Sequence, residues 1–110
     1  MPFYMFNGRY TAAAIKAMVD TPQDREAPAS ALVKAAGGKL HHLFFCFGND
    51  DVIALIEAPD DKSMAACALA IGASGAFSGG ATTKLMTSKE AMAAMRAAKK
   101  ASKGYKPVTG

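Results

Sequence analysis

The chain has 110 residues, 51% hydrophobic and 20% charged, a globular balance that excludes a disordered polypeptide. Its length fits one domain, and no apolar run approaches the ~20 residues of a membrane-spanning helix. The net charge of +4 divides into −1 over residues 1–88 and +5 over residues 89–110, which disfavours nucleic-acid binding, because cations in the last turns of a helix are common and suit its dipole.

Met1–Phe6 lacks a charged leader region and a cleavage site, so Phe3–Phe6 reads as a first strand and the expected location is cytoplasmic. Thr11 is placed to cap a helix from Ala12, with Ile15, Met18 and Val19 facing inward. Pro22 interrupts that helix, which resumes over residues 23–36 with Leu32 and Val33 inward until Gly37-Gly38 stops it. Leu40–Phe47 and Val52–Glu57 read as strands joined by the turn Gly48-Asn49-Asp50-Asp51. Asp60 caps the next helix, whose inner stripe is Met64, Cys67, Ala68 and Ile71. Ala76–Met86 is a last strand, with Gly79-Gly80 marking a bulge or an edge. Thr87-Ser88-Lys89-Glu90 matches a capping box for a basic helix to about Ala101, its apolar stripe being Met92, Met95 and Ala98.

This order predicts an α+β, ferredoxin-like βαββαβ domain over residues 1–87, with one four-stranded antiparallel sheet. The crossover rule puts the first and third strands at its centre. The extra C-terminal helix, residues 88–103, packs on the domain or extends from it, and residues 104–110 form a flexible tail. Alanine supplies much of the hydrophobic content but fills little volume, so a second copy is expected to cover one sheet face as a homodimer or higher oligomer.

A symmetric turn at Gly48–Asp51 would set Phe47 opposite Val52 and His42 opposite Glu57. Alternation then sorts the hairpin into two faces. His41, Leu43, Phe45, Phe47, Val52, Ala54 and Ile56 face the helices. His42, Phe44, Cys46, Ile53, Leu55 and Glu57 occupy the open face, where a small apolar ligand would contact Tyr4, Phe44, Cys46, Ile53 and Leu55. His42 with Glu57 is the candidate catalytic pair, the carboxylate orienting the imidazole as a general base. An ordinary cross-strand ion pair, worth about 0.2–1 kcal/mol, is the simpler reading of the same residues.

No cofactor or metal is expected. Adjacent strand residues His41 and His42 point to opposite faces, and His42 lies about 13 Å from Cys46 at ~3.3 Å per residue. Cys46 and Cys67 lack ligand or disulfide-framework spacing and read as free thiols. The glycines of residues 72–80 lack the Lys-Ser/Thr of a phosphate loop.

Gly37-Gly38-Lys39-Leu40, Gly48-Asn49-Asp50-Asp51-Val52 and Glu57-Ala58-Pro59-Asp60-Asp61, preceded by Tyr10-Thr11, Ile15-Lys16 and Thr21-Pro22, resemble the GYD domain family over roughly residues 3–86. The resemblance implies a ferredoxin-like fold of the dimeric α/β-barrel type, found in small bacterial proteins, and brings no established catalytic residues. Asp50 stands where the family's turn usually has Tyr, Phe44 replaces an aromatic hydroxyl, and Ser78-Gly79-Gly80-Ala81 replaces a more polar run. Two functions are therefore weighed: a binding or accessory module, or a cofactor-independent isomerase- or monooxygenase-like enzyme acting on a small aromatic or lactone-like substrate. A basic-tail scaffold that contacts nucleic acid or an acidic partner is a third, weaker reading.

Overall fold

The computed structural model describes all 110 residues. Strand β1 (Phe3–Tyr10) does not end at Asn7-Gly8 but runs through it. Gly8 is a packing glycine rather than a turn: a Cβ there would lie 2.8 Å from the Phe77 ring and 2.9 Å from that of Phe6. Helix α1 (Ala12–Asp20) starts as expected, with Thr11 Oγ1 accepting from the Ala14 amide at 3.1 Å. It buries no residue, and Ile15 and Val19, expected inside, stay 38% and 71% exposed.

Helix α2 (Glu26–Ala35) begins three residues later than the sequence suggests, behind Asp24, whose carboxylate accepts the Glu26 amide. Pro28 consequently falls in the first turn, where its missing N–H has no intrahelical partner to lose. Gly37 (φ +87°) ends the segment in the left-handed conformation. Strands β2 (Lys39–Phe45) and β3 (Val52–Glu57) lead to α3 (Asp61–Ala73), capped by Asp60 accepting the Ser63 amide at 2.8 Å. Strand β4 (Phe77–Leu85) and α4 (Ser88–Ala101) follow, with the Thr87–Glu90 capping box formed. No helix is long and apolar enough to cross a membrane.

The sheet order is β2-β3-β1-β4, all neighbours antiparallel, so the first and third strands are central as the crossover rule requires. The result is a ferredoxin-like α+β domain with an added C-terminal helix. Tyr4, Phe6, Val52, Ala54 and Ile56 alternate onto the helix-covered face and join Val33 of α2 and Met64 and Cys67 of α3 in the core. The alternate residues Phe3, Met5, Ile53 and Leu55 face the side that no helix covers. Helix α4 extends from the body rather than packing on it: none of its residues is buried, and the molecule measures 59 × 32 × 22 Å. Its radius of gyration is 17.8 Å, against ~13 Å for a compact domain of about 100 residues.

The β2–β3 register differs from the symmetric hairpin. Phe45, not Phe47, faces Val52, and His42 faces Leu55 rather than Glu57. The cause lies in β1, which captures the turn. Asp51 donates its amide to the Gly8 carbonyl and accepts the Tyr10 amide on its carboxylate, both at 2.9 Å. Asn7 Nδ2 donates to Asp50 at 2.7 Å, and Arg9 Nε donates to the Asn49 carbonyl. The loop therefore spans Cys46–Asp51, leaving Phe47 fully exposed instead of on the helix face. Because the slip is two residues, the period-two assignment of faces survives for Leu43, Phe44 and Phe45.

Replacing Asp51 with Ala removes the acceptor for the Tyr10 amide, and a hydrogen bond to a charged group is worth about 1.5–3 kcal/mol. A loss of that size should appear in urea denaturation of Asp51→Ala, whereas Val19→Ala on exposed α1 should change stability by less than about 0.5 kcal/mol.

Candidate functional site

The residues assigned to one site by the sequence separate into three places. Phe44, Ile53 and Leu55 do meet on the open face: Phe44 pairs with Ile53, and Leu55 pairs with His42 on one side and Met5 on the other. The His42 and Phe44 rings stack 5.7 Å apart, and Phe44 is 63% exposed. Cys46 instead lies in the turn, its thiol donating to the Asp50 carbonyl at 3.2 Å. Tyr4 points the other way, into the helix-covered face, and is 3% exposed.

The expected His42–Glu57 pair is not formed. A β-bulge between Leu40 and His42 inserts His41 as an extra residue and brings Lys39 opposite Glu57. The bulge turns His41 onto the open face, contrary to simple alternation, where His41 Nε2 lies 2.9 Å from Glu57 Oε1. The Phe3 ring sits 5.4 Å from the His41 ring, tilted 48° to it. The imidazole–carboxylate pair is thus His41–Glu57, each side chain about three-quarters covered.

Tyr4 takes part in a different network. Its hydroxyl donates to Asp61 Oδ1, which also pairs with Lys84 Nζ at 2.9 Å, tying β1 and β4 to the first turn of α3. The hydrogen bond to Asp61, with burial, pushes the Tyr4 phenol up to about 12. The same bond, then Lys84, holds the Asp61 carboxyl below the usual carboxylate range. Burial pushes the Cys67 thiol up, which makes it a poor nucleophile. No three His, Cys, Asp or Glu side chains come together as a metal-ligand group.

Three main concavities mark the surface, and the least open of them lies on the helix side, where sequence reasoning did not place it; the other two, of about 310 and 430 Å³, are shallower. A cavity of about 280 Å³ opens between α2, α3 and the sheet, and 14 of its 17 lining residues are hydrophobic. Leu32 and Val33 of α2 and Ile71 of α3 form its roof, and Val52, Ala54 and Ile56 its floor. One wall is aromatic. Tyr10 is stacked between Phe77, 4.5 Å away, and Phe45, 5.9 Å away, while Phe6 meets Phe77 edge-on at 5.8 Å. Burial raises the Tyr10 phenol above its ordinary value despite the neighbouring Arg25 guanidinium, which lowers it. The sequence signal for this wall was the alternation Tyr4, Phe6, Gly8, Tyr10, visible only if the strand is read through Asn7-Gly8.

The protonated Tyr4 phenol is favoured by the fold, whereas in the unfolded chain it ionises near 10. Its stabilisation is therefore complete below pH 10 and drains away between pH 10 and about 12. Asp61 works oppositely: its contribution is present above the ordinary carboxylate range and disappears as pH falls through its lowered value. Tyr4→Phe should abolish the phenol ionisation near pH 12 in a spectrophotometric titration and return the Asp61 carboxyl, followed by NMR, toward 3.8. Glu57→Gln should move the ring resonances of His41 and leave those of His42 in place.

The fold resembles that in the crystal structure of MtbAldR, at a TM-score of 0.54 and 16% sequence identity, over 78% of this chain and 52% of that one. The chain thus spans about half the length of that protein, and a likeness at this identity concerns the fold alone. No curated protein matches. The family model of the GYD domain matches residues 4–95, from the first sheet strand into the projecting helix. With most of its length covered by that model, the chain belongs to the GYD domain family.

Proposed function

We propose that this protein is a homodimeric binding module that holds a small apolar molecule between its sheet and helices α2 and α3. The carrying observation is the cavity of about 280 Å³ with its predominantly hydrophobic lining. An apolar cavity of about 150 Å³ is enough to accept benzene, so a single-ring body fits this one. It replaces the open face as the ligand site, because the residues there form one exposed wall with nothing opposite it.

The open face serves self-association in this reading. A folded chain of 11.4 kDa is expected to expose roughly 5,800 Å², yet this one exposes 7663 Å². The surplus, roughly 1,900 Å², exceeds the ~800 Å² per partner of a standard interface. It includes Phe44 at 63%, Met92 at 45% and Met95 at 66% exposure, on the uncovered sheet face and on α4. A two-fold arrangement covers the same apolar face on both copies with one contact.

One observation supports an enzymatic alternative. The His41–Glu57 pair leaves Nδ1 of the imidazole free, the disposition of an oriented general base. A cofactor-independent reaction on a small aromatic or lactone-like substrate would then use His41, at the seam between two sheets.

Sedimentation should give a dimer at micromolar concentration for the wild type and a monomer for Leu55→Lys. Indole, followed by ligand-observed NMR, should bind the wild type and Leu55→Lys alike and fail to bind Ala29→Phe, whose new ring plugs the cavity. A monomeric wild type would sink the assembly, and indole binding undiminished in Ala29→Phe would sink the site.

A further inference from the structure

The polar groups at the cavity restrict what it accepts. Of its lining side chains, only Arg25, Ser74 and Tyr10 carry hydrogen-bonding atoms. Ser74 is used locally: its hydroxyl donates to the Ile71 carbonyl at 2.6 Å and accepts the Ala76 amide. The Tyr10 hydroxyl lies beside the Arg25 guanidinium, whose charge and hydrogen bond favour the phenolate, and stacking between Phe45 and Phe77 fixes its ring. Arg25 donates from Nη1 to the Gln23 side chain at 2.7 Å and faces the Tyr10 hydroxyl, which leaves further N–H groups of its five free. No carboxylate lies within ion-pair distance of Arg25; the four pairs in the molecule use Arg9, Lys16, His41 and Lys84.

The nearby acids are committed elsewhere. Asp24 accepts the Glu26 amide, and Asp51 accepts the Tyr10 amide without lining the cavity. The site therefore combines a hydrophobic interior with one guanidinium that no carboxylate neutralises and one phenol beside it.

From this combination we infer that the cavity selects a small monocarboxylate, its apolar body inside and its carboxylate held by Arg25 with the Tyr10 hydroxyl as a further donor. A neutral apolar ligand of the same shape leaves the guanidinium without a counter-charge. A guanidinium, by contrast, matches a carboxylate with two parallel hydrogen bonds. The inference rests on the proposed binding function and specifies its ligand class.

The test compares benzoate with benzyl alcohol, its near-isosteric neutral counterpart, by titration calorimetry on the full-length protein. Benzoate should bind the wild type roughly tenfold tighter, the size of one charge-assisted hydrogen bond. Arg25→Gln should erase that preference, and Tyr10→Phe should reduce it partway. Circular dichroism of each variant confirms folding, and Arg25 and the Tyr10 hydroxyl lie outside the core. Equal binding of the two ligands to the wild type overturns the carboxylate assignment and leaves the cavity's binding role intact. Binding of neither overturns both.

Discussion

The Asp51 carboxylate on the Tyr10 amide is the contact from which much of the geometry follows. It occurs where three strands meet: β3 is about to begin, β1 is about to end, and the turn from β2 has just closed. Fastened there from outside, the turn cannot close by the shortest route, and β2 from His42 onward shifts by two residues along β3. The same bond sets the end of β1, and so holds the Tyr10 ring between Phe45 and Phe77. One half-buried interaction at the sheet's end thus bears on both a strand register and the aromatic wall of the cavity.

The sheet works on two sides because alternation divides each strand between two tasks. Along β3, Val52, Ala54 and Ile56 line the cavity floor, while Ile53, Leu55 and Glu57 look toward the uncovered face. The bulge at His41 is the exception. It places two consecutive residues on the open face and lets an imidazole reach a carboxylate that an unbroken ladder would keep away. Glu57 thereby gains a partner on a face that is otherwise mostly apolar, where an unpaired carboxylate would be costly to cover. If two sheets stack there, the pair lets the acid enter the interface with its charge answered.

The fold was readable because its signals are local and repeat one another. Thr11, Asp60 and the Thr87–Glu90 box cap helices where residue type and spacing say they should, and Gly37 stops α2. Element order then restricted the topology to one plan. The register was not readable, since it depends on Asp50 and Asp51 finding β1 more than 40 residues away in sequence. Asn7-Gly8 misled for a related reason: the dipeptide has turn chemistry, but the missing Cβ makes room for the rings of Phe6 and Phe77. The open-face trio Phe44, Ile53 and Leu55 was recoverable from alternation alone. The cavity was not, because Leu32 and Ile71 reach it from helices, and Arg25 from the residue before α2, elements whose placement no strand periodicity encodes.

Helix α4 also bears on assembly. Only Met86 and Thr87 separate it from β4, and the capping box orders that junction, so its direction is set by the strand it leaves. A helix of 14 residues with no tertiary cover is marginal in water, because the cost of its first turn is repaid mainly by packing. Here both ends are favourable: Glu90 lies in the first turn, and Lys99 and Lys100 in the last. Those terms stabilise a helix without giving its Met92 and Met95 side chains anything to pack on. Like charges disfavour two such basic helices lying alone against each other, whereas the nearly neutral body of a second copy carries no such penalty. The same projection that enlarges the exposed surface of one chain therefore extends the apolar area available for joining two, and it continues from the edge strand of the sheet face already left uncovered.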